Sequence, residues 1–334
     1  MAQPTMADIA EHVGVSRPLV SIVLRGAPGA SDRTRARVLA AARELGYTPH
    51  QGARTLRRAR SQHLGVTFAP VHASEPEIVE AVYEAAAERG YQVVLSAWTA
   101  GREEAEAVEE LLGYRCAALV AIGSDLGHVR LAALARRAAV PVVLVGTGRL
   151  NRDYDVVGSD GALGVSSVVD HLADLGHRDV AYLHCPSLPS ARERLRGFQE
   201  TAERRGLRTT VQRVVGRGYE EEAGSTGARR LLALAERPTA LVAGNDQQAV
   251  GALWVLTRAG VAVPREMSVA GYDDTRLARL SAVDLTTASQ DTARLGRLAV
   301  GAALRRVDDP ALPPTVTTVR PHLVTRSSTA APRG

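Results

Sequence analysis

Apolar positions follow two different rhythms along this chain. Up to about residue 48 they recur at helical spacing in three short groups: Ile9, Ala10 and Val13; Val20, Val23 and Leu24; Val38, Leu39, Ala42 and Leu45. Spacings of three and four residues place each group on one helix face. Thr5 with Asp8 forms a capping-box pair before the first helix. Gly14-Val15 then makes a turn, Ser16 caps a second helix, and Pro18 falls in its first turn, where a missing N–H costs nothing. A third helix starts after Ser31 and stops at Gly46. Two short helices joined by a glycine turn have the spacing of a helix-turn-helix.

From residue 62 the rhythm changes to short apolar strands alternating with amphipathic helices. Strands are predicted at Leu64–Ala69, Gln92–Ser96, Ala117–Ile122, Pro141–Val145, Val180–His184, Gln212–Val215, Ala240–Ala243 and Ser268–Gly271. Helices are predicted near 75–89, 102–112, 128–138, 161–175, 190–205, 220–235, 246–259 and 291–306. Regular β-then-α order implies parallel sheets covered by helices on both faces. Two such series give two lobes, about 62–160 and 161–290, with the C-terminal segment crossing back between them. Ligands in this architecture bind at the carboxyl ends of the strands.

Charge separates the same two parts. Residues 1–63 hold ten Arg and four acidic residues, a net of +6, whereas the rest of the chain nets −1. A basic head on a near-neutral body implies a polyanionic partner for the head alone, and double-stranded DNA fits. All 41 basic residues are Arg, which reads as coding bias rather than function. The two cysteines, Cys116 and Cys185, sit in apolar stretches and read as small core residues of a cytoplasmic protein. The start of the chain lacks the pattern of a secretory signal, and no apolar run approaches the ~20 residues of a membrane span. Enzyme readings find little support. Gly146-Thr-Gly148 lacks the third glycine of a dinucleotide loop, no Gly-x-Ser-x-Gly occurs, and the His residues show no metal-ligand spacing. No cofactor is expected.

The motifs together resemble the LacI/GalR family of bacterial transcription regulators. In the head these are Asp8-Ile-Ala-Glu-His-Val-Gly-Val-Ser16, Val20-Ser-Ile-Val-Leu24 and Glu44-Leu-Gly-Tyr-Thr-Pro49, followed by Ala53-Arg-Thr-Leu56, which is similar to the family's hinge helix. The resemblance implies a second helix in the major groove, and hinge helices of two subunits paired in the minor groove around a leucine wedge. On that basis the DNA-contacting residues are Thr5, Ser16, Ser21 and Ser31 with their backbone amides, for phosphates; Arg17, Pro18, Leu19, Ile22 and Arg25 along the reading helix; Tyr47 on the phosphate side; and His50, Ala53, Arg54 and Leu56 in the hinge. Leu56 is apolar among Arg54, Arg57, Arg58 and Arg60, as a minor-groove wedge requires. The family usually has arginine where this chain has Ile22, asparagine for Arg25, threonine for Leu19 and asparagine for His50. Arg17 can still bond guanine, and Leu19 or Ile22 can meet a thymine methyl, so the half-sites should depart from the family's consensus.

The body carries the resemblance through Leu64-Gly-Val66, His171-Leu-Ala-Asp-Leu-Gly-His-Arg178, Arg194-Leu-Arg-Gly-Phe198, Val242-Ala-Gly-Asn-Asp246 and Val269-Ala-Gly-Tyr-Asp-Asp-Thr275. It implies a two-lobed, periplasmic-binding-protein-like effector domain. Asp160, Arg194, Asn245, Asp273 and Gln290 match effector-contacting positions, and carboxylates, amides and a guanidinium together suit vicinal hydroxyls. Tyr219 can stack on a sugar ring. Phe68 and Trp98 can add aromatic faces or belong to the core. Asp246 is read as a helix cap, Asp274 as a turn residue and Trp254 as core.

The expectation is a small all-α helix-turn-helix head over 1–48, a hinge helix and linker over 49–61, and an α/β two-lobed domain with parallel sheets over 62–330. Function follows as a homodimeric, cytoplasmic, nucleoid-associated repressor of carbohydrate genes, released from a pseudo-palindromic operator by a sugar-like effector. A purine or other non-sugar corepressor is the alternative within the family. A solute-binding protein is the alternative outside it, and would need an export signal and no basic head. The tail from Thr325 has no heptads that would support a zipper.

Overall fold

A computed structural model describes residues 4–24, 26–47, 61–186, 189–214 and 221–333. The chain divides into two compact units, Met1–Arg60 and Ser61–Gly334. In the first, α1 (Met6–Val13), α2 (Arg17–Leu24) and α3 (Asp32–Glu44) enclose one small core. The three apolar groups meet there as Ile9, Ala10, Val13, Val20, Val23, Val38, Ala41 and Ala42. Gly14 ends α1 in the left-handed region at φ 69°, a conformation that glycine adopts without a Cβ penalty. Arg37 donates to the Val13 carbonyl and Arg35 to the Val23 and Ala27 carbonyls. Two of the head's arginines therefore hold free carbonyls where α1 and α2 end, where a cation is favoured by the helix dipole.

The second unit contains two six-stranded sheets. The first has the order β11-β5-β4-β3-β1-β2, built from β1 (His63–Phe68), β2 (Gln92–Ala97), β3 (Ala118–Ile122), β4 (Val142–Val145), β5 (Asp155–Ser159) and β11 (Val316–Val319). All its pairings are parallel. One face is covered by α4 (Ser74–Glu88) and α12 (Thr292–Asp308), the other by α5 (Glu104–Gly113) and α6 (Gly127–Ala138). The second sheet has the order β12-β10-β9-β8-β6-β7, from β6 (Asp179–His184), β7 (Arg208–Arg213), β8 (Ala240–Val242), β9 (Ser268–Asp273), β10 (Thr286–Ser289) and β12 (His322–Val324). Only β12 runs antiparallel among its pairings. Its helices are α7 (Gly161–Asp174), α8 (Pro189–Arg204), α9 (Glu221–Leu232), α10 (Asp246–Arg258) and the single turn α11 (Arg276–Arg279). Central strands β3 and β4 are buried along their whole length, as expected for strands covered on both faces.

The chain passes between lobes three times: after Ser159, after Gln290, and between β11 and β12. Four strands escape the sequence pattern. β10, β11 and β12 are only three or four residues long, too short to show alternation. β5 contains a glycine and starts on a buried acid. The strand expected at 212–215 begins earlier, at Arg208, because this polar edge strand leaves every second residue or more in solvent. The acid that opens β5 explains its own burial. Asp155 is fully buried and accepts from Arg305 at 3.0 Å, Arg306 at 3.3 Å, and the amide and hydroxyl of Thr315. It thereby fastens α12 and the entry to β11 onto β5. Both cysteines are buried free thiols, and burial pushes Cys116 up to about 11. Among the described residues no helix is long and apolar enough to cross a membrane, and no group of three His, Cys, Asp or Glu side chains is placed to hold a metal ion.

Candidate functional site

In the head, packing decides which side chains face outward. Val20 and Val23 of α2 are buried; Ser16, Arg17 and Pro18 are exposed, and Leu19, Ser21 and Ile22 are half-buried. The base-reading candidates among the described residues thus lie away from, or at the border of, the apolar core. Ser31 caps α3 by accepting from the Thr34 amide at 3.3 Å and bonds the Thr34 hydroxyl at 2.9 Å. Tyr47 packs partly buried on the head's core. The capping box at Thr5 forms, with consequences for its expected phosphate contact. The Thr5 amide donates to Asp8 at 2.6 Å and its hydroxyl at 2.9 Å, so a carboxylate already occupies that helix terminus and Thr5 is poorly suited to a phosphate. Arg25, His50, Ala53, Arg54 and Leu56 lie outside the described residues, as does most of the hinge segment.

Between the two lobes lies a cavity of about 140 Å³. Four of the expected effector residues line it: Arg194, Asn245, Asp273 and Gln290. They form one bonded set. Arg194, only 7% exposed, donates to Asp273 at 3.2 Å and to the Gly244 carbonyl at 2.6 Å, while its guanidinium lies 3.7 Å from the centre of the Tyr272 ring. Gln290 donates to the same Asp273 oxygen at 3.1 Å. Asp273 ends β9 with φ 114°, and Asp274 follows at φ 56°. Non-glycine residues rarely adopt either conformation, and such strain persists only where surrounding contacts hold it. Burial raises the Asp273 carboxyl above its ordinary value although Arg194 pulls the other way. Tyr272 reaches the other lobe by bonding Ser159 of β5 at 2.9 Å.

Several roles fall differently from the sequence reading. Asp160 caps α7, accepting from the Leu163 amide at 2.9 Å; it does not line the cavity, although its neighbours Ser159 and Gly161 do. Asn245, not Asp246, caps α10 by accepting from the Gln248 amide. Asp246 is instead fully buried, accepting from the Thr275 amide and hydroxyl and the Thr287 hydroxyl. Burial and the nearby Asp273 charge raise its carboxyl. Gly271 is required beside it, because a Cβ there would meet Asp246 Oδ1 at 2.4 Å. Phe68 packs on the first lobe's core, and Trp98 contacts the His72 ring edge-on at 6.4 Å; neither lines the cavity. Trp254 is 64% exposed, not core, with Arg258 over its ring. Asp274 lies between β9 and α11 and receives Arg326 at 2.6 Å. Tyr219 lies outside the described residues.

Other residues of the site gave no sequence signal. Gln247, 6% exposed, accepts from the Ala73 amide at 3.0 Å and donates to the Val71 carbonyl at 3.0 Å, tying α10 of one lobe to the loop before α4 of the other. Also between the lobes, the Arg276 guanidinium donates to both Glu80 oxygens at 2.6 Å and its backbone amide donates to Glu77. Glu75, in the first turn of α4, lines the cavity and is 5% exposed. In sequence it resembles any carboxylate at a helix start; Tyr272 is hidden inside an apolar strand motif.

The chain combines a helix-turn-helix head with a two-lobed unit whose cavity gathers polar groups at strand ends and helix starts. Residues 5–50 match the bacterial regulatory proteins of the lacI family, and residues 169–329 match the periplasmic binding protein-like domain. The chain is 31% identical to the ribose operon repressor of Escherichia coli strain K12, over 97% of this chain and 99% of that one. It is 30% identical to the HTH-type transcriptional repressor PurR of Escherichia fergusonii, over 98% and 97%. A crystal structure of the lac repressor dimer bound to operator and the anti-inducer ONPF superposes with a TM-score of 0.83 at 30% identity, covering 99% of this chain and all of that one. With a head and body of this construction and relatives matched along nearly their whole length, the chain belongs to the LacI family of bacterial transcription regulators.

Proposed function

We propose that this chain is a repressor that binds a pseudo-palindromic operator as a homodimer and is released by a sugar-like effector held between its lobes. The observation that carries this reading is the bonded set Arg194–Asp273–Gln290 with Asn245 in the interlobe cavity. Donors and acceptors fixed side by side in a concave site match adjacent hydroxyls. On the DNA side, exposed Arg17 and half-buried Leu19 and Ile22 form the reading surface, with Ser16, Ser21 and Ser31 for phosphates. On the family resemblance, Arg25 is assigned to base reading and His50, Ala53, Arg54 and Leu56 to the hinge, Leu56 as the wedge. Effector binding acts by stabilising one arrangement of the lobes over another, so its differential affinity sets how far operator binding shifts. No catalytic step is assigned to the chain, and its site of action is the cytoplasm, on the nucleoid.

The test is a gel shift on the DNA upstream of its own gene, with and without a panel of sugars and nucleobases. Binding should weaken steeply with salt, because each phosphate contact releases counterions. A panel member should reduce the shifted fraction. Absence of specific binding at low salt would refute the regulator reading, and release by a nucleobase alone would replace the sugar.

A further inference from the structure

The cavity is lined by more acid than the bonded set uses. Three carboxylates line it, Glu75, Glu193 and Asp273, against one guanidinium. Arg194 is engaged by Asp273 at 3.2 Å, which leaves Glu75 of one lobe without a matching guanidinium, whereas Glu193 of the other lobe has the charges of Arg196, Arg194 and Arg149 acting on it. Glu75 is held in a defined pose. Its Oε2 accepts from the Ala69 amide at 2.6 Å at the start of α4, and Oε1 makes no hydrogen bond among the described residues. Oε1 points toward the Cα of Gly123, another lining residue, where a Cβ would approach it to 2.0 Å. Glycine at 123 (φ 58°) therefore keeps the free oxygen uncovered. Burial, with the charges of Glu104 and Asp273, raises the Glu75 carboxyl well above the ordinary range. Glu193 is raised as well, chiefly by burial. A buried carboxyl with one oxygen free and acids for neighbours is completed by a donor, best by a cation, which also relieves the repulsion.

We propose that the effector is a polyhydroxylated amine, whose basic nitrogen is received by Glu75, with Glu193 on the facing lobe, while its hydroxyls meet Asp273, Arg194, Asn245 and Gln290. This rests on the reading of the cavity as the effector site. It disfavours sugar phosphates as effectors, because their charge would meet Glu75, on which only other acids act.

The full-length protein is titrated calorimetrically with three free hexosamines (glucosamine, galactosamine, mannosamine), amino-polyols, their hydroxyl counterparts, the N-acetylated forms and hexose 6-phosphates. At least one amine should bind ten-fold or more tightly than its hydroxyl counterpart at neutral pH, and N-acetylation should abolish that preference. Glu75→Gln, which keeps the shape and removes the charge, should bring the amine and its hydroxyl counterpart to within about two-fold; Glu193→Gln should reduce the preference less. Thermal melting of both variants confirms folding, and removal of a buried acid should leave Glu75→Gln at least as stable. A neutral sugar or a phosphate that binds more tightly than every amine, or an amine preference unchanged in Glu75→Gln, overturns the amine assignment. If such a neutral or anionic compound also releases operator, the regulator reading stands without it. If no compound binds and no operator complex forms, both readings fail.

Discussion

Replacing Arg194 by Met tests whether the cleft is held by a buried ion pair or merely contains one. The substitution keeps an unbranched chain of similar bulk over Tyr272 but removes the charge that Asp273 and the Gly244 carbonyl share. Both side chains of the pair are under a tenth exposed, so solvent cannot replace the lost partner. Breaking such a pair from one side costs about 3–5 kcal/mol, because the remaining charge stays buried. For a unit of this size each kcal/mol lowers Tm by roughly 2–4 °C, giving a fall of roughly 6–20 °C. Tryptophan fluorescence is the assay of choice, since Trp98 and Trp254 both lie in the second unit and report its unfolding alone. Adding Asp273→Asn should recover a large part of the loss, the double-mutant cycle isolating the pair from general packing. The deficit should also shrink in acid. Asp273 is already raised by burial, and without Arg194 it rises further. A carboxyl raised in the folded state contributes stability that is present at low pH and lost as pH rises through its folded value. A single-variant cost under about 1 kcal/mol, or no recovery on adding Asp273→Asn, would refute the reasoning.

Other outcomes follow from the same contacts. Gln247→Ala removes two hydrogen bonds between lobes, each worth about 0.5–1.5 kcal/mol, and should weaken effector binding by about five- to a hundred-fold in calorimetry; an unchanged affinity would mean that the bonds form equally in the free and bound arrangements. Asp155→Ala strips a fully buried acceptor from Arg305, Arg306 and Thr315 and should cost about 3–5 kcal/mol in denaturant unfolding, whereas a loss below 1 kcal/mol would remove it as the fastening of α12. The wild-type second unit should gain stability as pH falls from neutrality toward 5, because Glu75, Asp246 and Asp273 are all raised by burial. Asp246→Asn should flatten that slope, and a slope of opposite sign would mean that ordinary surface carboxylates dominate the titration.

The layering was legible because hydrophobic period is a local property. Val20 and Val23, or Val142 to Val145, announce a buried face whatever they pack against, and cap and turn residues such as Thr5, Gly14 and Ser31 act within three or four positions of themselves. The charge step near residue 63 likewise needs only counting. Strands that exist because a neighbour offers a ladder were not legible. Val316–Val319 extends the first sheet beside β5, and His322–Val324 closes the second beside β10, although neither segment alternates enough to predict it. The site divides along the same line. Arg194, Asn245, Asp273 and Gln290 stood at strand ends or helix starts within motifs and could be named from sequence. Asp160 had the same credentials and became a cap.

What the sequence by itself determined was therefore the order of elements, the division into basic head and neutral body, and the residue types gathered at strand ends. Tertiary structure alone decided which acids lost their water and their partners. Asp246, Asp155 and Glu75 look alike as letters: each is an acid at or near the start of an element. Folding gives Asp155 two guanidiniums, Asp246 two threonine hydroxyls, and Glu75 one amide and an open cavity. Desolvation and pairing depend on what folding brings alongside, for Asp155 from 150 residues away and for Asp246 from 29 and 41, and that is set by tertiary packing rather than by any local pattern.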